Sequence, residues 1–207
     1  MKVYFVRHGE SVGNKAMVHQ TEDTPLSDRG IAQAESVAKR LKNQKINVIF
    51  SSTHKRTKQT AKIISEFTGA PIEYWEELIE LKTPSEIQKR HVWDPKSVEI
   101  RDLIRKNFSK KGWRYSDEET YEEIEKRAGI VVEHLLDEHQ KENVLCVSHA
   151  SMIKAIISKM VFGKRLTAQI FSDIRYGFWA TNTGISVCEY VKGRGWGIIS
   201  WNDSSHL

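Results

Sequence analysis

The chain has 207 residues, of which 39% are hydrophobic and 29% charged, with a formal net charge of +5. This length fits one large domain with its own core, and the ordinary composition excludes collagen-like, repeat-array and disordered proteins. No apolar run approaches the length of a membrane span, and the amino terminus lacks the long apolar region of a signal peptide. The modest positive charge favours an anionic partner without identifying it.

The first predicted element is a buried strand from Val3 to Val6, which runs into the motif Arg7-His8-Gly9. β-branched and aromatic residues favour the strand, and Gly9 allows the backbone to turn sharply. Arg7 and His8 therefore lie at the carboxyl end of a strand, where open α/β sheets place their ligand crevices.

Strands and helices then alternate as far as residue 75. Ser27 is a good N-cap for a helix with regularly spaced apolar residues, and Gly69 is a natural end for the helix that follows. Strands are predicted at 45–50 and 71–75. This order of elements indicates a largely parallel sheet with right-handed crossovers.

The alternation fails between residues 76 and 115, where the chain is highly charged and contains Pro84 and Pro95. So short a stretch is too small for a second core. We interpret it as a helical insertion over the carboxyl edge of the sheet, a lid or substrate-specificity segment within a single 1–207 domain.

The last third of the chain predicts further elements of the same fold. A capping box at 116–119 opens a long helix, and Val144 to Val147 is typical of a central parallel strand. Strands at 184–191 and 196–201 form a hairpin, and 202–207 is predicted to be a loose tail. The fold class is therefore a three-layer α/β/α domain with a mostly parallel sheet and a carboxyl-terminal β-hairpin.

Three predicted strand ends carry complementary side chains. The first strand delivers Arg7 and His8, the second leads through a short turn to Arg56, and the fourth ends at His149. Carboxyl ends of parallel strands lie side by side, so these groups can converge on one crevice. Guanidinium groups and the free N–H groups of helix N-termini suit a phosphate, and a neutral histidine can be the nucleophile.

A leaving alkoxide also needs a proton, which a carboxylic acid from the insertion can supply. Glu80 is the best placed candidate, and Glu76, Glu77 and Glu86 stay open as alternatives. The other histidines have no partners at metal-ligand spacing and are interpreted as surface residues. They are His19, His54, His91, His134, His139 and His206.

Several short motifs run through nearly the whole chain in a fixed order. They are Arg7-His8-Gly9-Glu10-Ser11 with Asn14, Pro25-Leu26-Ser27 with Gly30, Ser51-Ser52 with Arg56-Thr57 and Gln59-Thr60-Ala61, Leu78 with Glu80, and Val147-Ser148-His149. Together they resemble the histidine phosphatase superfamily, the phosphoglycerate mutase-like proteins. Thr53-His54-Lys55 departs from the Pro-Leu element that often stands there, and we interpret this departure as lying outside the charged pocket.

The resemblance implies a phosphoryl-transfer site without a metal or organic cofactor. His8 would become phosphorylated, and Glu80 would be the proton donor. The remaining residues would bind the phosphoryl group. They are Arg7, Asn14, Arg56 and His149, with Ser11 as a further candidate.

We therefore predict a cytoplasmic phosphomonoester phosphatase that acts through phospho-His8 on a small phosphorylated metabolite. Phosphoglycerate mutase-type transfer is less favoured, because residues 12–15 and the following segment lack the Trp-Asn and Phe-Thr-Gly-Trp elements usual in such mutases. A non-catalytic phospho-ligand-binding module is a further alternative. No nucleic-acid or membrane partner is expected, and neither the substrate nor the oligomeric state is indicated. Cys146 and Cys188 lie in apolar runs, typical of reduced core thiols.

Overall fold

A mixed six-stranded sheet forms the centre of the computed structural model, which describes all residues from 1 to 207. The strands are β1 (Lys2–Arg7), β2 (Val48–Ser52), β3 (Ile72–Trp75), β4 (Asn143–Ser148), β5 (Ile185–Val191) and β6 (Gly195–Asp203). Their order across the sheet is β3-β2-β4-β1-β5-β6. The first four are parallel to one another, β5 is antiparallel to its neighbour β1, and β6 is antiparallel to β5. This arrangement confirms the predicted fold class.

Seven helices cover the sheet. They are α1 (Val12–Lys15), α2 (Asp28–Leu41), α3 (Lys55–Thr68), α4 (Pro95–Asn107), α5 (Tyr121–Glu138), α6 (Ala150–Phe162) and α7 (Ala168–Gly177). Short 3₁₀ turns lie at Glu76–Leu78, Ser85–Ile87 and Gly163–Arg165. None of these helices is long and apolar enough to cross a membrane.

The sheet separates two hydrophobic cores. Val3 and Phe5 of β1 belong to a core shared with α5 and α6, whereas Tyr4 and Val6 belong to a core shared with α2 and α3. Successive side chains of a strand point to opposite faces, so β1 contributes to both cores. This central position fixes the strand end from which Arg7 and His8 emerge.

The chain leaves β1 through a close approach of two glycines. A Cβ on Gly30 would lie 1.9 Å from the carbonyl oxygen of Glu10, and one on Gly9 would lie 2.4 Å from the carbonyl oxygen of Gly30. Ser27 caps α2 by accepting from the Gly30 N–H at 3.1 Å and donates its hydroxyl to Glu10 Oε1 at 2.7 Å. The start of α2 thus holds the loop that follows His8.

The long helix α5 begins later than predicted. Its N-cap is Thr120, which forms a capping box with Glu123, so the box predicted at 116–119 is wrong. Glu118 instead accepts two backbone N–H groups in the preceding turn, and Glu119 pairs with Arg127. These acids stabilise the loop before the helix rather than the helix itself.

Two other segments are more ordered than the sequence indicated. The polar region 10–24 after β1, for which the sequence predicts no helix, contains α1, capped by Ser11. The predicted loose tail is wrong: β6 runs to Asp203, which pairs with Arg40 of α2. Within the same tail, His206 Nε2 forms a hydrogen bond with Thr183 Oγ1 at 3.1 Å.

The insertion at 76–115 packs beside the carboxyl edge of the sheet. Its backbone pairs with the loop after α1, where the His19 N–H donates to the Arg90 carbonyl and the Lys89 N–H to the His19 carbonyl, both at 2.9 Å. Phe108 anchors its far end against Phe171 in the core. The segment therefore borders the strand ends, and its role as a lid stays a prediction.

The glycine contact gives a stability prediction. Gly30→Ala should lower the free energy of unfolding by about 1–3 kcal/mol, because the added Cβ overlaps backbone atoms that cannot move aside. The control is Gly129→Ala in α5, where the Cβ would be 3.7 Å from Lys159 and should stabilise the helix by up to about 1 kcal/mol. Denaturant unfolding measures both, and equal effects of the two variants would contradict the prediction.

Candidate active site

The sheet brings together the three strand ends that the sequence singled out. Strands β2, β4 and β1 are neighbours, and the His8 N–H donates to the Ser148 carbonyl at 3.0 Å. Arg56 lies in the first turn of α3, and His149 is the N-cap residue of α6. His8 and Arg56 are each 3% exposed and His149 is fully buried, with the two histidine ring centroids 5.1 Å apart.

The hydrogen bonds of His8 determine which of its nitrogens carries the proton. Nδ1 lies 2.7 Å from the Gly9 carbonyl oxygen, which only accepts, so Nδ1 is the donor. Arg56 Nε, which only donates, points at His8 Nε2 at 3.3 Å. The ring is therefore neutral, with the lone pair on Nε2.

The buried guanidinium of Arg56 connects three imidazoles. Besides His8, its Nη2 lies 3.1 Å from Nδ1 of His54 and 3.1 Å from Nδ1 of His149. Its Nη1 donates to the Thr21 carbonyl at 2.9 Å. Burial lowers the pKa of Arg56 to about 10, which leaves the group charged at neutral pH.

His149 takes the opposite tautomer from His8. Its Nδ1 accepts from Arg56, so Nε2 carries the hydrogen and donates to Ser52 Oγ at 2.9 Å. Burial and the nearby arginines hold the pKa of both His8 and His149 well below the usual imidazole value. The centre of the site thus combines fixed cations with neutral imidazoles.

The interpretation of His54 as a surface residue outside the pocket is wrong. Its ring stacks edge-on against His149 with the centroids 4.9 Å apart, and its Nδ1 accepts from Arg56. Burial, followed by the charge of Arg56, lowers the pKa of His54 to about 4. With Nδ1 occupied, the hydrogen of neutral His54 lies on Nε2, which has no protein partner.

Arg7 places a second guanidinium beside His8. Its Nη1 donates to the Ala180 carbonyl at 2.6 Å, whereas Nε is buried without a hydrogen-bond partner. Burial lowers the pKa of Arg7, and the charge of Glu80 opposes that shift. An unpartnered buried donor is costly, and an anionic ligand in the cavity would relieve that cost.

Two asparagines hold the loop around His8. Asn182 Nδ2 donates to the His8 carbonyl at 2.9 Å and to Asn14 Oδ1 at 3.3 Å. Asn14 Oδ1 also accepts from the backbone N–H of Ser11, so the Asn14 amide nitrogen is left to the cavity. The Ser11 hydroxyl caps α1 and donates to Gln20, and the structure does not bring Ser11 to the cavity wall.

Glu80 lies at the amino-terminal end of α6. Its carboxylate accepts the backbone N–H groups of Ser151 at 3.3 Å and Met152 at 3.2 Å. These donors were expected to be free for a phosphate, and they hold the carboxylate instead. Of the four glutamates considered, Glu80 alone lines the cavity; Glu76 and Glu86 are exposed, and Glu86 pairs with Lys96.

Several of these residues line a cavity of about 820 Å³, which we call the phosphate cavity, whereas His149 is fully buried behind Arg56 and His54 and is not part of its wall. The cavity is open to solvent between the loop after β1 and the insertion. Its wall includes Arg7, His8, Asn14, His54, Arg56 and Glu80. No group of three or more His, Cys, Asp or Glu side chains is arranged to hold a metal ion. The arrangement can bind an anion next to a neutral nitrogen nucleophile and a carboxyl group.

Sequence reasoning missed the residues that support the reacting groups. Asn182 precedes β5, which is antiparallel to β1 and therefore starts at the edge where the parallel strands end. The polar stretch before β5 indicates a site residue only once this pairing is known. Thr60 Oγ1 accepts the Gly9 N–H at 3.1 Å, and Ser52 positions His149. The pairing of His54 with Arg56 depends on side-chain direction, for which the sequence gives no signal.

The chain is similar to phosphoglycerate mutase-like proteins and phosphatases along its whole length. A Yersinia pestis protein named "Probable phosphoglycerate mutase GpmB" is 30% identical over 100% of this chain and 95% of its own length. The structure of the Shigella flexneri alpha-ribazole phosphatase aligns with a TM-score of 0.82 and 20% identity, covering 98% of this chain and 96% of that one.

A phosphoserine phosphatase mutant from Entamoeba histolytica, solved in complex with phosphoserine, aligns with a TM-score of 0.76 and 23% identity. The alignment covers 100% of this chain and 98% of that one. At these identities the solved structures establish a shared fold. Residues 3–204 match the model of the histidine phosphatase superfamily (branch 1), and the chain therefore belongs to this superfamily.

Proposed function

We propose that this protein is a phosphomonoester phosphatase that transfers the phosphoryl group of a small metabolite to His8 and then to water. One observation carries the proposal: a buried neutral imidazole in the wall of the phosphate cavity keeps its lone pair on Nε2, beside the guanidinium groups of Arg7 and Arg56 in the same wall. A site that only binds phosphate needs the cations but has no use for a nucleophile fixed in one tautomer.

In the first step, His8 Nε2 attacks phosphorus while the bond between phosphorus and the ester oxygen breaks. Arg7 and Arg56 neutralise the charge on the phosphoryl oxygens. The departing oxygen takes a proton from Glu80. The Gly9 carbonyl accepts from Nδ1–H and stabilises the positive charge that develops on the His8 ring.

In the second step, a water molecule attacks the phosphorus of phospho-His8. Glu80 takes a proton from this water, and the bond between phosphorus and Nε2 breaks to release inorganic phosphate and neutral His8. No metal ion or organic cofactor takes part in the proposed reaction. The free buried thiols Cys146 and Cys188 support the cytoplasm as its location.

Phosphoglycerate mutase-type transfer is the second candidate, because several relatives carry that name. In this reaction phospho-His8 would return its phosphoryl group to a bound phosphoglycerate instead of water. Incubation with 3-phosphoglycerate and catalytic 2,3-bisphosphoglycerate separates the two reactions. The proposal predicts inorganic phosphate as the main product. If 2-phosphoglycerate were the main product, the protein would be a mutase and the phosphatase proposal would be wrong.

Loss of the nucleophile tests the proposal directly. His8→Ala should abolish hydrolysis of para-nitrophenyl phosphate and the acid-labile phosphoenzyme trapped by rapid quench, and EDTA should not affect the wild type. The control is His91→Ala, since His91 is exposed in the insertion and outside the cavity. Hydrolysis that survives in His8→Ala would contradict the proposal, and an unlabelled, inactive wild type would favour the binding-module alternative.

The role of Glu80 predicts a dependence on the leaving group. Glu80→Gln should lower kcat for an alkyl phosphate by about 10²–10⁴-fold, since the alkoxide leaves only with a proton. The loss should be much smaller for para-nitrophenyl phosphate, whose leaving group is a stable phenolate. Glu76→Gln is the matched control, because Glu76 is exposed and outside the cavity. If kcat fell equally on both substrates, Glu80 would not be the proton donor.

The buried neutral histidines predict the pH dependence of stability. In the folded protein the pKa of His149 is far below the ordinary value of about 6.5, which applies to the unfolded chain. Below pH 6.5 the unfolded chain therefore binds a proton at His149 that the folded protein does not bind. Stability should therefore be complete above pH 6.5 and fall as the pH decreases. His149→Gln should reduce the slope of unfolding free energy between pH 6 and 5 by about 1 kcal/mol per pH unit. An unchanged slope in denaturant unfolding would show that His149 titrates normally.

A further inference from the structure

A second cavity of about 470 Å³ adjoins the phosphate cavity on the side of the insertion. The two cavities share four of their lining residues, which are His19, Leu81, Lys82 and Thr83. Ser151 also lines the second cavity, and its N–H donates to the Glu80 carboxylate. The proposed proton donor therefore lies at the junction of the two cavities, where the oxygen of a leaving group would be.

Three arginines give the second cavity its chemical character, and we call it the arginine cavity. Arg101 and Arg105 come from α4, and Arg175 comes from α7. None of the three forms an ion pair with a carboxylate. Unpaired guanidinium groups that converge from two helices are suited to an anion.

Aromatic rings hold these guanidinium groups in place. Arg105 lies 4.5 Å above the ring of Tyr176, and Arg175 lies 5.5 Å from the ring centre of Phe108. Arg101 lies 5.7 Å from the ring centre of Trp93. Stacking on an aromatic face restricts an arginine while it leaves the guanidinium edge free to bind a ligand.

The acidic residues of the arginine cavity do not neutralise these cations. Glu118 accepts two backbone N–H groups, Glu119 pairs with Arg127, and Lys82 pairs with Asp117 outside the cavity. Of the acidic lining residues, Asp102 alone has no such partner within the protein. Backbone N–H groups do not cancel the charge of Glu118, so three unpaired guanidinium groups stand against two carboxylates, those of Asp102 and Glu118, and a net positive charge is left.

The backbone that carries Arg175 is also fixed next to the phosphate cavity. Lys154 of α6 is 7% exposed, and its Nζ donates to the Arg175 carbonyl at 2.7 Å. Burial lowers the pKa of Lys154, and the charge of Glu80 opposes the shift, so this ammonium group lies in the field of the proton donor. Lys154 thus connects the end of α7 to the region around Glu80.

We propose that the arginine cavity binds a second anionic group on the leaving-group side of the substrate. The inference rests on the proposed function, since it treats the phosphate cavity as the site of the transferred phosphoryl group. The substrate class is then a short phosphomonoester that carries a carboxylate or a second phosphate. Both groups bind guanidinium through the same paired oxygens.

Binding to the His8→Ala variant tests this inference without turnover. Calorimetry at constant ionic strength compares two pairs of compounds. O-phosphoserine and O-phosphoethanolamine differ by a carboxylate, and fructose 1,6-bisphosphate and fructose 6-phosphate differ by a phosphate. The more anionic member of at least one pair should bind about 10- to 100-fold more tightly, as expected for a charge-assisted hydrogen bond to a guanidinium. The preferred pair identifies the anionic group.

Substitutions in the arginine cavity should remove this preference. Arg175→Gln and the exposed Arg105→Gln, each in the His8→Ala background, should bring the two members of the pair to within a few-fold of each other. The control is Arg194→Gln in the β5–β6 turn, which removes the same charge far from the cavity and should keep the preference.

Equal binding within both pairs would overturn the inference, as would a preference that survives both arginine substitutions. A wild-type enzyme without turnover would count against the proposed function, while these binding measurements would still decide whether the second anionic group is recognised.

Discussion

The site depends on one buried cation, the guanidinium of Arg56. It donates to His8, His54 and His149 at 3.1–3.3 Å, so each of these rings must present a lone pair to it. Burial keeps the imidazoles neutral, and the single donor group fixes their tautomers. The surrounding fold places Arg56 at the start of α3, directly after β2, where its guanidinium group reaches all three rings.

In this arrangement each group has a separate role in the proposed reaction. His8 supplies a lone pair, the arginines supply charge for the phosphoryl oxygens, and Glu80 supplies the proton. The glycine contact between Gly9 and Gly30 and the hydrogen bond from Asn182 hold the loop that carries His8. Precise placement of a few groups therefore depends on ordinary backbone packing at one edge of the sheet.

The parallel part of the fold could be predicted because apolar runs, caps and glycines mark its strands and helices. The meeting of His8, Arg56 and His149 followed from that topology. Contacts of the antiparallel edge could not be predicted in the same way, since Asn182 becomes relevant only once β5 is known to pair with β1. The N-terminus of α6 was expected to be free for phosphate, but a carboxylate from a distant loop occupies it. Side-chain contacts between residues that are far apart in the sequence produce no local sequence pattern from which they could be predicted.

The most direct test of this account is the protonation state of the imidazoles, measured by ¹⁵N NMR of the histidine rings at pH 6. We expect His8 to be neutral with its hydrogen on Nδ1, and His149 to be neutral with its hydrogen on Nε2. Arg56→Gln should disturb both signals. A protonated His8 at this pH, or a His8 hydrogen on Nε2, would mean that the proposed nucleophile has no lone pair to offer and would contradict the account.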